Sequence, residues 1–330
     1  MTKGQFSIRL HEARLAMGLS MDKLAERTGY AITKQSISRY EKGDMLPKHD
    51  ALASLSQALK ISEAYFKGAN LSIDVPMLRT TSRNKLSEDE LQVLEAKLSF
   101  WAEQYLSKER EAGIVAKYEN PILGTNVSTL EEVIRAADLL RGKWHCGDGP
   151  IASVLRLLER KGIKILVAEL PDGVFGMSTW ADRRHPLMVL DIRTNKTTIE
   201  RLRFTACHEL AHLLLNFSED SEFGVEKRCD LFASFLLMPK SSYVEELGGA
   251  HRETLTLEEM IDIKELYGIS LASLCIAARD YGIISTEYKR WWYDKYIKPN
   301  PWEKDLGHYR YPETVGWEKR IDSRINYEST

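Results

Sequence analysis

The chain has 330 residues, 43% of them hydrophobic, and its 46 Lys or Arg against 48 Asp or Glu give a formal net charge of -2. That length exceeds what one core usually organises, so two or more domains are expected, and the charge balance excludes a polycation, leaving any nucleic-acid contact to a local patch. Cys146, Cys207, Cys229 and Cys275 form no CxxC pair, and neither a signal-peptide core nor a run of 18 apolar residues occurs, which points to a reduced, cytoplasmic protein with no membrane partner.

Residues 1–70 read as short helices joined by tight turns. In "FSIRLHEARLAMG", Ile8, Leu10, Leu15 and Met17 lie around one broad apolar face, and Gly18 stops the helix. Ser20 caps "MDKLAERTG", which Gly29 ends, and "TKQSISRYEKG" is another short helix closed by Gly43. After Pro47, the residues Ala51, Leu52, Leu55, Ala58 and Leu59 recur at helical spacing. Periodicity lapses over 71–84, which reads as a linker. Ser87 and Glu90 then form a capping box ahead of a strong helix over 87–111, suited to a connecting arm or a dimer contact.

A second domain begins near residue 129 with two helices. The runs 163–170, 175–181 and 187–192, bounded by Pro, Gly and Asp, predict strands of a small sheet. Helices are expected over 197–217, 224–238, 257–267 and 270–281. The last 45 residues, rich in Trp and Tyr and interrupted by Pro, read as a docked extension.

Two helices at an angle, the second beginning "TKQS", have the form of a reader that enters a DNA major groove. Thr33, Lys34, Gln35, Ser36 and, one turn on, Arg39 would face the bases or backbone, since Gln pairs bidentately with adenine and Arg or Lys with guanine. Ile37 and Tyr40 would point inward. Residues 1–66 hold ten Lys or Arg against seven Asp or Glu, a surplus too small to argue DNA binding by itself. Residues 6–66 resemble the XRE-type helix-turn-helix of phage repressors through "SMDKLAERTG", "TKQSISRYEKG" and "LPKHDALASLSQALKIS". The resemblance implies Lys34, Gln35 and Arg39 as base readers, Ser36 and Ser38 as phosphate contacts or caps, a buried Arg14–Glu41 salt bridge, and a dimer on double-stranded operator DNA. The turn "GYAIT" is two residues longer than in such repressors, which bears on the placement of Thr33.

In "FTACHELAHLLLNF", His208 and His212 stand at i and i+4 on an apolar helix, so two imidazole nitrogens can point at one ion. Glu209 then sits beside that ion as a base rather than a ligand. Fourteen residues beyond His212 comes Glu226, with Asp230 one turn further. That spacing suits Glu226 as third ligand and Asp230 as the acceptor orienting a histidine ring; a solvated helix face is the plainer alternative. Three protein ligands leave a position for water, the mark of a catalytic site. "RLRFTACHELAHLLLNF", "VEKRCDLFASFLLMP" and "ISLASLCIAARDYGIIS" resemble the ImmA/IrrE metallopeptidases over roughly 130–285. The resemblance implies His208, His212 and Glu226 as ligands of Zn2+, with Mn2+ as the alternative ion, and Glu209 as the catalytic residue. Cys207 and Cys229 depart from it, each standing where the family usually has Ala. A thiol beside the metal could poise or inhibit the site; a small buried residue is the bland reading.

The expected fold is α+β: an all-α helix-turn-helix domain (1–70), a linker with its helix (71–128), a mainly helical zincin-like domain with a small β-sheet (129–285) and a C-terminal extension (286–330). One functional expectation is a regulator whose zinc endopeptidase cleaves a repressor, or its own chain within 68–86, to relieve repression. Another is an antitoxin-like or ligand-sensing repressor whose zinc domain is not proteolytic, with a toxin as partner. A third is a plain peptidase that uses the helix-turn-helix for protein contact.

Overall fold

The computed structural model describes residues 2–68, 71–74, 86–114, 117–193, 197–218, 221, 223–249 and 251–328. They group into two compact units. One gathers Met1–Val115, Thr179–Leu187 and Glu318–Thr330; the other gathers Ala116–Ser178 and Met188–Trp317. Most of the segment 68–86, where a self-cleavage site is expected, lies outside the described residues.

In the N-terminal unit, α1 (Lys3–Ala16), α2 (Met21–Arg27) and α3 (Lys34–Glu41) follow side-chain caps, and α4 (His49–Leu59) starts after Lys48 without one. Thr2, Ser20 and Thr33 each accept a hydrogen bond from a backbone N–H of the first turn, satisfying donors that the helix itself leaves open. Gly18, Gly29 and Gly43 all adopt left-handed φ values of 62–72° at the helix ends, a conformation that costs glycine nothing. Phe6, Leu10, Leu24, Ile37, Leu55 and Phe66 fill the core. Ile8, expected on the apolar face of α1, is instead 49% exposed; the inward stripe runs through Phe6, Leu10 and Ala13.

The helix α5 (Glu88–Glu111) begins at the Ser87–Glu90 capping box. Its apolar face, Leu91, Leu94, Leu98, Ala102 and Tyr105, is buried within this chain, and it packs along α1. Arg9 donates to both oxygens of Glu103, and Phe100 meets Tyr65 edge-on with ring centroids 5.4 Å apart.

The second unit is built around two neighbouring helices, α8 (Ile199–Leu214) and α9 (Val225–Leu237), with α6 (Leu130–Trp144) packed against α9. Strands β2 (Lys164–Val167), β3 (Gly176–Ala181) and β4 (His185–Leu190) form a sheet in the order β2-β4-β3. At Gly176 a Cβ would lie 2.5 Å from the Thr205 methyl, so glycine is what lets β3 approach α8. The two-residue strands β1 (Asn126–Val127) and β5 (Asn216–Phe217) pair in parallel.

Buried arginines hold this frame. Arg141 donates to the carbonyls of Gly147, Gly149 and Leu236, and Arg228 donates to those of Val127 and Ser218. Arg203, fully buried, donates to Ile151, Tyr267 and Gly268 and pairs with Glu313. Glu313 in turn accepts from the N-terminus of α7 (Val154–Arg160).

Candidate metal centre and nucleic-acid interface

Helix phase brings the metal-binding candidates together. From α8, His208 and His212 stand with ring centroids 5.1 Å apart. From α9, Glu226 reaches both: its carboxylate lies 3.4 Å from His208 Nε2 and 3.2 Å from His212 Nε2. Behind His208, Asp230 is 2.8 Å from Nδ1. That contact fixes the ring and leaves Nε2 for an ion. Burial alone would discourage charge on His208, but the hydrogen bonds to Asp230 and Glu226 outweigh it and push its pKa up to about 9.

The donor set fits a metal. His212 Nε2 is buried and, although near Glu226, makes no aligned hydrogen bond. A buried imidazole nitrogen left in that state is costly, and a divalent ion at the point where both Nε2 atoms and the carboxylate meet would satisfy it. Glu226 and Asp230 are 36% and 38% exposed while the histidines are 5% exposed, so solvent reaches the site along the carboxylate side.

Glu209 follows His208 on α8 and feels the charges of His208, His212 and Glu226. It accepts a 2.8 Å hydrogen bond from the Ser178 hydroxyl on β3. Its complete burial pushes its pKa above the usual carboxylate range, against the pull of His208, His212 and Ser178. A carboxyl of raised proton affinity is the better suited to take and return a proton. Ser178 was not singled out from the sequence, because nothing in the run "FGMSTWA" separates a positioning hydroxyl from strand composition.

The two cysteines that interrupt the family pattern separate cleanly. Cys229 Sγ, His208 and His212 offer three donor atoms within 4.8 Å of one another. Cys207 is not part of that group. It is fully buried toward Arg203, Glu313, Cys146 and Arg141, and burial pushes its thiol up to about 12.

In the N-terminal unit, α3 has one face inside and one face free. Ile37 is fully buried and Tyr40 nearly so, while Gln35 and Arg39 are exposed and Ser38 is half-buried. Thr33 is the cap of α3: its oxygen accepts from the Ser36 N–H and lies 3.1 Å from the Ser36 hydroxyl. Lys34 reaches Asp22 at 2.7 Å in an exposed pair, which gives little stability and is easily exchanged for another anion. The long turn is accommodated by left-handed backbone at Gly29 and Tyr30. Arg14 makes two hydrogen bonds of 2.6 and 2.7 Å to Glu41. His11, absent from the sequence reading, adds a third contact of 2.9 Å to the same carboxylate.

These features define a DNA-binding helix-turn-helix protein carrying a metallopeptidase-type domain. The family model described as Helix-turn-helix matches residues 10–66, and that of the IrrE N-terminal-like domain matches 158–279. The chain is thus an XRE-type helix-turn-helix joined to an ImmA/IrrE-type domain. No curated protein gives a match. Among the described residues, no helix is long and apolar enough to cross a membrane.

Proposed function

We propose that the chain is a transcriptional regulator whose second domain is a zinc-dependent endopeptidase that cleaves a repressor protein, or the chain itself, to relieve repression. The observation that carries this reading is the convergence of His208, His212 and Glu226 beside a buried Glu209 held by Ser178. A bound zinc ion would polarise the scissile carbonyl and make water more acidic. His208, His212 and Glu226 would hold it, and Asp230 would keep the His208 ring in the required tautomer. Glu209 would take the proton of the attacking water and return it to the leaving amine. Ser178 holds one oxygen of that carboxylate in place. On the other domain, Gln35 and Arg39 would read base edges, with Lys34 and Ser38 toward phosphates and Thr33 and Ser36 capping the reading helix. A dimer on a two-fold operator is the arrangement that helix-turn-helix readers favour.

The test is mass spectrometry of purified wild type and Glu209→Gln after incubation with zinc or manganese, with and without DNA and with a candidate repressor. Defined fragments from the wild type alone support the reading. Intact substrate and intact chain in every arm would overturn proteolysis.

A further inference from the structure

Residue 226 is followed one helical turn later by a thiol on the same face of α9, and that thiol turns toward the two histidines. We propose that Cys229 is itself a metal ligand, so that the resting site has four protein donors (His208, His212, Glu226 and Cys229) and selects a thiophilic divalent ion. The inference rests on the metal site proposed above and specifies what closes it.

Two independent observations carry it. Cys229 is fully buried, and its Sγ lies within 4.8 Å of a donor nitrogen on both histidines. A tetrahedral ion holds nitrogen and sulfur donors about 3.5 Å apart, so the thiol and the histidines would draw together as the ion binds, with Glu226, 3.4 and 3.2 Å from the two Nε2 atoms, joining from outside that group of three. In addition, His212, a member of the same group with a side chain only 5% exposed, has its Nε2 without a hydrogen bond. A small residue chosen only to fill space would not need to aim sulfur at two imidazoles. Cys207 is an internal control, since it is equally buried but outside that group.

Two consequences follow from the chemistry of the donor. Thiolate is soft, so a His2GluCys set favours zinc, cobalt or cadmium over manganese. The thiol gives its proton to solvent as the metal–sulfur bond forms. A fourth protein donor also takes the position that an attacking water needs. Hydrolysis then requires Cys229 to leave the ion or the ion to gain a fifth neighbour, which makes this residue a restraint on the site and not part of its catalytic apparatus.

Cobalt titration of the full-length chain reads the sulfur directly. Wild type and C207A should each bind one cobalt ion with a near-ultraviolet sulfur-to-cobalt charge-transfer band. C229A should bind cobalt without that band, and C229S should behave likewise, with folding of both checked by circular dichroism. Zinc affinity of C229A should fall by at least the ~10-fold that losing an outer partner costs, with manganese affinity unchanged. Cobalt bound by wild type with no sulfur band would overturn the Cys229 assignment and leave the His2Glu site standing. A band that persists in C229A but disappears in C207A would also overturn it. If wild type binds no cobalt, zinc or manganese, the proposed metal site fails and this inference falls with it.

Discussion

The candidate reading helix α3 and the candidate metal helix α8 place their functional side chains in opposite ways. On α3 the anchors are buried and the candidate contacts are exposed: Ile37 and Tyr40 hold the helix, while Gln35 and Arg39 reach solvent. On α8 the candidate groups are themselves core. Arg203, His208 and Glu209 are all nearly or fully buried. A reader must leave its donors unsatisfied until DNA supplies the partners, whereas a metal site must hold its donors in a dry, fixed frame before the ion arrives. Substitutions should therefore separate function from stability on α3 and entangle them on α8.

The exception on α8 should give the largest functional effect. Glu209→Gln keeps the shape of a buried side chain and removes the base. Cleavage should slow by about 10²–10⁴-fold with no loss of thermal stability, as read by fragment yield and a melting curve. A parallel drop in melting temperature would mean that Glu209 serves the fold. Arg203→Ala should show the entanglement directly. It leaves Glu313 buried without its partner, at a cost of about 3–5 kcal/mol. Chemical denaturation that shifts by less than about 1 kcal/mol would show the pair to be dispensable.

On the reading helix, Gln35→Ala and Arg39→Ala should each cost about 1–3 kcal/mol in binding the protein's own promoter and leave melting unchanged. Unaltered gel-shift affinity in the double variant would remove these two residues from base reading.

The smallest effect depends on pH. In the N-terminal unit, burial and the nearby Glu103 raise the Glu12 pKa to about 7, against the pull of Arg9. Its folded pKa lies above its unfolded value, so the folded state binds the proton more tightly and stability falls as pH rises from about 4.5 through 7. Glu12→Gln should thus stabilise this unit at pH 8 by roughly 1 kcal/mol, discounted for partial exposure, and have little effect at pH 5. Equal effects at both pH values would show that Glu12 stays ionised.

What the sequence made legible was periodic or local. Caps at Ser20 and Ser87, and the i to i+4 pairs His208/His212 and Glu226/Asp230, are statements about single helices, and the structure has these side chains on the faces that such spacing dictates. The strands β2 to β4 were legible as bounded apolar runs, whereas β1 and β5 are two residues each and leave no pattern. Contacts between distant segments stayed hidden. Ser178 meets Glu209 only because Gly176 lets β3 come close, and α5 spends its apolar face on α1, which a single-helix pattern cannot distinguish from a dimer seam. The two cysteines looked equivalent in sequence. They differ because residue 207 is about 100° around α8 from His208, whereas residue 229 shares the face of Glu226.

The Arg203–Glu313 pair also sets a schedule for folding. Residue 203 is made 110 residues before its counter-charge, and the same glutamate closes the start of α7 at residue 153. While the chain is being synthesised, the candidate metal helix therefore has a guanidinium that cannot be buried without penalty until residue 313 has emerged. In the N-terminal unit the Arg14–Glu41 and Arg9–Glu103 pairs lie 27 and 94 positions apart, so both can close sooner. A ribosome stalled before residue 313 would present a finished DNA reader attached to an unfinished second domain.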